Sequence, residues 1–291
     1  MKIFVTGASG FIGSATVKEL SAAGHEVTGL ARSDESAKII GDLGARVLKG
    51  SIEDLDILKQ GASQADGIIH TAFFHDFNQF AKANDMDKAA IDAMGYAIEG
   101  TKKPIIITGG ILGLPKTNGF ATEADVAPDF PRSSEAAAMA LTERNINASV
   151  VRLSPSVHGK GEKGFVPFII GQSRKNGVSA YVEDGNNHWP AIHRLDAALL
   201  YRLAVEKGIK GARYNGVAEE GIKIREIAGL IGKTLNLPVK SLSGEEAALH
   251  FEWMIRFIGF DEPATSYQTQ ELLNWKPQQI GLLEDMKENY F

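Results

Sequence analysis

The 291-residue chain contains no cysteine. Disulfides, thiolate metal sites and thiol nucleophiles are therefore excluded, and cysteine usage says nothing about redox compartment. No stretch approaches the roughly 20 consecutive apolar residues that span a bilayer. The apolar start of the chain is broken at Gly7, Ser9 and Gly10 and is followed by no small-residue cleavage site, so Met1 to Val17 does not read as a signal peptide. A cytoplasmic protein without membrane contact is expected. Basic clusters are missing too. Lys and Arg number 31 against 36 Asp and Glu, for a net charge of -5, which argues against a protein that holds nucleic acid by neutralising phosphates. Internal repeats and low-complexity segments are absent. What remains is an ordinary globular composition, 44% hydrophobic and 23% charged, at a length that suits one large domain with a smaller lobe grown from it.

Short apolar segments alternate with helical patterns through the first half. Lys2 to Thr6 reads as a strand, Phe11 to Ala23 as a helix stopped by Gly24, and His25 to Leu30 as a second strand. Further strands are expected at Arg46 to Leu48, Gly67 to Thr71, Ile105 to Ile107 and Ser149 to Leu153, with helices between them. Strands that are apolar throughout and separated by helices belong to a parallel sheet covered on both faces. The expected fold is α/β, a doubly wound parallel sheet of the Rossmann type with a smaller, mainly helical C-terminal lobe. After Leu153 the rhythm loosens into the glycine-rich loop Gly159 to Gly164. Residues 1–155, joined by 193–216, are assigned to the dinucleotide-binding domain, and 156–192 with 217–291 to a substrate lobe.

The loop Thr6-Gly7-Ala8-Ser9-Gly10-Phe11-Ile12-Gly13 lies between the first strand and the first helix. A pyrophosphate is best held by backbone N–H groups at a helix N-terminus, where the dipole favours negative charge. Gly7 allows the turn off the strand, Gly10 the close approach of the phosphates, and Gly13 tight packing of helix on sheet. Because the βαβ unit closes by residue 31, the glycine pattern sits in the context that gives it meaning. Ser9, Phe11 and Ile12 complete the loop. At the end of the second strand an acidic residue would bond a ribose 2′-hydroxyl, whereas Arg would attract a 2′-phosphate. Ala31 stands where the acid would be, and Arg32 and Ser33 follow. NADP(H) is favoured and NAD(H) is the alternative, in which Arg32 is a solvated residue and Asp34 a helix cap.

The chain resembles the short-chain dehydrogenase/reductase superfamily, in its extended and atypical branches that include nucleotide-sugar epimerases and dehydratases. The resemblance rests on Thr6-Gly7-x-x-Gly10-x-x-Gly13, Gly50-Ser51-Ile52, His70-Thr71-Ala72-Phe73, Thr108, Val151-Arg152-Leu153 with Val157-His158-Gly159, and His193-Arg194-Leu195-Asp196. It implies that Ser51 and Ile52 flank the adenine, that Thr71, Ala72 and Phe73 line the cofactor, and that Leu153, Ser154 and Pro155 lie near the nicotinamide. It also implies a catalytic Tyr and Lys four residues apart, and these are missing: none of the six tyrosines has Lys four positions later. A His-x-x-x-Arg replacement is missing as well.

Thr108 is left to hold a substrate oxygen, and Arg132, always charged, to orient one while being a poor proton donor. His75, His158, His188 and His193 fall at the carboxyl ends of strands or beside them, and His75 and His158 are carried forward as candidate acids. His188, His193 and Asp196 match no compact ligand spacing; Asp196 is read as a helix cap and no metal is expected. Phe251, Trp253, Met254, Phe257, Ile258 and Phe260 form a stripe at helical spacing, read as lobe core that contributes to a substrate cavity. Three functions follow as expectations. The first is an NADP(H)-dependent oxidoreductase acting on a small carbonyl or activated alkene. The second is a dinucleotide-binding sensor that has lost catalysis, and the third an epimerase or dehydratase. The only partner expected is a small-molecule substrate, with homodimerisation implied by the family's habit alone.

Overall fold

A strand buried on both faces can offer alternate residues to two separate cores. That is how the main sheet is built in the computed structural model of the chain, which describes residues 1–74, 79–127 and 132–291. Its strands are β1 (Lys2–Thr6), β2 (Glu26–Ala31), β3 (Arg46–Lys49), β4 (Gly67–His70), β5 (Pro104–Gly110), β6 (Asn147–Leu153) and the late β10 (Arg213–Gly216). They lie in the order β10-β6-β5-β4-β1-β2-β3, and every neighbouring pair is parallel. This is the expected doubly wound sheet. On one face Ile3, Val5, Ile69, Ile106 and Val151 pack with Val17, Leu20 and Tyr201. On the other, Phe4, Ile68, Ile105, Ile107 and Val150 pack with Leu58, Ile91, Met94 and Leu141.

The first face is covered by α1 (Phe11–Ala22), α2 (Asp34–Asp42) and α7 (Arg194–Lys207), and the second by α3 (Leu55–Gln64), α4 (Phe80–Ala97) and α5 (Ser134–Glu143). Gly24, at φ +83°, follows α1, and its N–H and that of His25 return to Ser21 and Leu20. Strand order reverses at β1, which pairs with β2 on one side and β4 on the other. Ligands of open α/β sheets bind outside the carboxyl ends of the strands at such a switch point.

A separate apolar core, that of a smaller lobe, joins α6 (Phe165–Asn176), α8 (Ile224–Leu235), α9 (Gly244–Phe251), α10 (Ile255–Ile258) and α12 (Leu282–Asn289), whereas α11 (Tyr267–Leu273) packs on α7 and β10 of the main sheet. The lobe also carries short strands. β7 (Ser156–His158), β9 (His188–His193) and β11 (Glu219–Lys223) form one small sheet, and β8 (Ser179–Val182) pairs with β12 (Val239–Leu242). No helix among the described residues is long and apolar enough to cross a membrane.

One charged group lies within the main sheet's apolar framework. Arg152 is fully buried on β6, and its Nε and Nη2 donate to the two oxygens of Glu135 at 2.7 and 2.6 Å. Its remaining N–H groups reach the carbonyls of Thr122 and Asp125, and Arg213 adds a third bond to Glu135. Burial raises the Glu135 carboxyl, but the two guanidinium groups outweigh it and hold the carboxyl below its ordinary range. Removing Glu135 strands a buried cation, so Glu135→Ala is expected to cost roughly 3–5 kcal/mol in chemical denaturation, far more than a surface carboxylate would.

Candidate functional site

The loop between β1 and α1 is a backbone-to-backbone contact. Gly7 adopts φ +67°, and a Cβ placed there would lie 2.7 Å from the Ala72 amide nitrogen. A Cβ at Gly13 would lie 2.0 Å from the Gly7 carbonyl oxygen. Neither position admits a side chain, which draws the loop onto the end of β4. Gly10 donates to the Gly7 carbonyl at 2.8 Å and sits at the N-cap of α1 without any side-chain cap. Helix α1 thus presents its first N–H groups and the positive end of its dipole at the switch point, next to Ser9, Phe11 and Ile12. These residues fit a dinucleotide pyrophosphate.

A chain of buried hydrogen bonds runs from this loop to Arg132. The Thr71 hydroxyl donates to the Thr6 carbonyl at 2.8 Å, and the Thr6 hydroxyl lies 2.7 Å from His70 Nδ1. His70 Nε2 lies 2.9 Å from Asp87 Oδ1. The carboxylate can only accept, so Nε2 carries the proton and Nδ1 accepts from Thr6. The other Asp87 oxygen accepts from Ser134 at 2.5 Å, and Ser134 accepts from Arg132 Nε at 2.8 Å. Burial raises Asp87, but the bond from His70, the Arg132 charge and the Ser134 bond together hold it below its ordinary range. Arg132 is thereby fixed with its guanidinium 4.2 Å from the centre of the Phe73 ring.

Thr108, at the end of β5, is nearly buried. Its hydroxyl donates to the His70 carbonyl at 2.7 Å, so at 2.6 Å it accepts from Tyr201 on α7. Burial pushes the Tyr201 phenol far above its ordinary range, against smaller opposing effects from Thr108 and Arg132. Tyr201 is therefore a donor that keeps its proton. A search for Tyr and Lys on one helix cannot find it. The unpaired signal was a polar tyrosine on the buried face of a late helix, which must find a partner.

The other expected residues separate. His158 is buried and pairs with Asp285 of α12 at 2.9 Å. Burial holds its imidazole below the ordinary value, with Asp285 opposing. His75 falls outside the described residues. His188 pairs with Asp261, while His193 Nδ1 accepts from Leu195 as the cap of α7. Asp196 is thus not the cap; it accepts from the backbone of Gln278 and Gln279. His158, His193 and Asp285 converge, and the bonds just named engage Nδ1 of each imidazole.

Near the adenosine end, Arg32 is exposed and forms no ion pair among the described residues. Ser33 caps α2 in a capping box with Ser36, so Asp34 is not the cap, and Lys49 neutralises it at 2.6 Å. The Ser51 hydroxyl accepts from Glu53, and Ile52 packs on the core edge. Leu153 and Pro155 flank Ser154, whose hydroxyl donates to the Gly216 carbonyl and ties β6 to β10. Of the aromatic stripe, Phe251, Met254 and Ile258 are lobe core, while Trp253 and Phe257 stack with Phe165 at its edge. Phe260 is exposed. Leu112, just past β5, packs against this cluster.

Three comparisons bear on this geometry. A family model described as NAD(P)H-binding matches residues 7–176. An uncharacterized protein of Schizosaccharomyces pombe is 46% identical over 289 residues, covering 98% of both chains. A Stigmatella aurantiaca 4-hydroxy-2-methyl-3-oxo-4-farnesyl-3,4-dihydroquinoline-1-oxide ketoreductase is 24% identical, over 80% of this chain and 73% of its own. In fold the chain is similar to the dTDP-glucose 4,6-dehydratase DesIV of Streptomyces venezuelae, solved with NAD and TYD bound. The TM-score is 0.78 at 18% identity, over 99% of this chain and 98% of that one.

Two predictions arise from the site. Glu262 is buried, with one oxygen accepting from Gly113 at 2.6 Å and the other unpartnered among the described residues. Burial raises its carboxyl from 4.5 to about 7. The native state then holds this proton more tightly than the unfolded chain, so the group's contribution to stability is complete below about pH 4.5 and is lost as pH rises through 7. Glu262→Gln should remove that slope and exceed the parent protein in stability by roughly 1–3 kcal/mol at alkaline pH, read from denaturation curves across pH. Separately, Arg32→Ala should weaken NADPH binding much more than NADH binding in fluorescence titrations; equal losses would mean that Arg32 meets no 2′-phosphate.

Proposed function

The chain belongs to the NAD(P)H-binding family, and from that premise we propose that it is an NADP(H)-dependent oxidoreductase acting on a small carbonyl compound or activated alkene. The observation that carries the reading is the loop Gly7 to Gly13, packed backbone to backbone at the switch point and leaving α1 uncapped. The preference for NADP(H) is supported by Arg32, which has no carboxylate partner among the described residues and lies beside the N-terminus of α2, and by the pairing of Asp34 with Lys49. The ketoreductase relative supports carbonyl chemistry.

Bound NADPH supplies a hydride, and the protein's task is placement and charge. Arg132 serves as the electrophile: Asp87 and Ser134 orient its side chain, and its N–H groups hold the substrate oxygen as negative charge develops there. Because a guanidinium keeps its proton, that oxygen is protonated from water. Thr108 shapes the floor of the site through the bonds to His70 and Tyr201.

A dinucleotide sensor without turnover is the second reading. It is favoured by the same bonds, since the one Thr108 proton is already given to a backbone carbonyl and Tyr201 is sealed beneath it. Incubation with NADPH and a panel of aldehydes, ketones and enones separates the two. Cofactor oxidation is expected, falling about 10²-fold or more in Arg132→Met with NADPH affinity little changed. Tight NADPH binding with no oxidation across the panel would establish the sensor instead.

A further inference from the structure

Helices α1 and α7 pack side by side and run in the same direction. The first residue of α7, Arg194, sets its guanidinium 4.8 Å from the ring centre of Phe11, the first residue of α1. Eight residues further along both helices, Arg202 bonds Glu19 at 2.7 Å, so the register persists. Two helix N-termini therefore open side by side at the carboxyl end of the sheet, with Arg194 between them.

Arg194 differs from the other buried or half-buried arginines described. Arg144, Arg152, Arg202 and Arg213 each meet a carboxylate, and Arg132 is linked to that of Asp87 through Ser134. Arg194 is half-buried, and among the described residues no carboxylate pairs with it; its Nη1 donates to the Lys160 carbonyl at 3.3 Å. Burial alone pulls its guanidinium below the ordinary value. A partly desolvated cation without a counter-charge is unfavourable unless an anion completes it.

The stem of Arg194 also has a built seat. Gly159 adopts φ +142°, and a Cβ there would lie 2.8 Å from Arg194 Cδ and 2.9 Å from Cγ. The missing side chain is the space the arginine occupies. Gly159 is held in turn, since its N–H donates to the Tyr290 hydroxyl at 3.0 Å, which itself donates to Glu162. The glycine-rich loop is thus tethered to the C-terminal helix in the position that receives the side chain.

We propose that Arg194 grips the dinucleotide pyrophosphate from the side of α7, opposite the N–H groups of α1, with its stem seated on Gly159 and its guanidinium stacked on Phe11. This rests on the dinucleotide reading of the loop. It adds a contact that the glycine pattern does not contain, delivered from a helix some 180 residues away in the chain. Arg194 is a cofactor-binding residue for both nicotinamide dinucleotides, in contrast to Arg32, which serves the 2′-phosphate.

The test is a calorimetric titration of the full-length protein and its Arg194→Ala, Arg194→Gln and Gly159→Ala variants. The probes are ADP, which carries the pyrophosphate, adenosine 2′-phosphate, which lacks it, NADPH and NADH. Arg194→Ala is expected to weaken ADP, NADPH and NADH by a similar factor of about ten and to leave adenosine 2′-phosphate unchanged. Arg194→Gln keeps most of the stem and loses the charge, so it should show the same pattern even where the alanine variant folds poorly. Gly159→Ala should reproduce part of the loss by displacing the stem. Unchanged ADP affinity in Arg194→Gln would overturn the proposal, and so would equal losses for ADP and adenosine 2′-phosphate, which signal general disruption. If the parent protein binds neither ADP nor either dinucleotide, the dinucleotide reading falls as well. Parent binding with indifferent Arg194 variants overturns this inference alone.

Discussion

The rest of the site depends on the absence of side chains where three backbone segments meet. The Gly13 backbone rests on Gly7, and Gly7 rests on the amide of Ala72 at the end of β4. That contact sets how close α1 comes to the sheet, and so where its free N–H groups point. It also fixes Thr6, whose carbonyl and hydroxyl are both engaged by the strand-end residues His70, Thr71 and Ala72. An added methyl group at Gly13 would collide with a backbone oxygen, which cannot rotate away. The loop is therefore a rigid element despite its glycine content: the glycines are used for contact, with Gly7 alone also needing its left-handed conformation.

Rigidity is passed on through polar groups. From Thr6 the bonds run to His70, Asp87, Ser134 and Arg132, crossing β1, β4, α4 and the start of α5. Each member is buried or nearly so and each is satisfied by the next, the condition under which a buried polar network orders a structure. Its end point is a cation stacked on Phe73. A Tyr-Lys pair would place a phenol and an ammonium on one helix. Here the cation comes from the start of that helix, and the phenol, Tyr201, lies behind Thr108 on the opposite face of the sheet with its proton retained. The arrangement suits holding charge at a developing oxygen better than exchanging a proton with it.

The main sheet was legible because its strands are buried on both faces, and residues such as Ile105, Ile106 and Ile107 have no other use. Most of the lobe strands were not. Ser156–His158 is three residues long, His188–His193 mixes polar and apolar residues, and much of Val239–Leu242 is exposed. Such segments become strands through tertiary pairing, which local pattern does not report. Caps misled for a similar reason. Asp34 and Asp196 are the favoured residue type, yet Ser33 and His193 take the N-cap positions, leaving the carboxylates to Lys49 and to the backbone at Gln278. Arg152 amid Val150, Val151 and Leu153 did carry a signal, since a charge in an apolar strand demands a partner. Sequence alone does not say that the partner is Glu135.

The same logic of unmet demand separates the two halves of the site. Around Arg132 the demand is met from within: Ser134 bonds its Nε, and Asp87 supplies the nearby negative charge. Around Arg194 and Arg32 it is not, for neither has a carboxylate partner among the described residues, and both stand beside helix N-termini, of α1 and α7 in one case and α2 in the other. Positive charge without a counter-charge thus gathers along the line where a dinucleotide's phosphates would run. Arg132 instead is balanced from within and stacked on Phe73. The charge this fold leaves unmatched is thus placed where phosphates can complete it, and the charge it balances internally is the one held by a buried network.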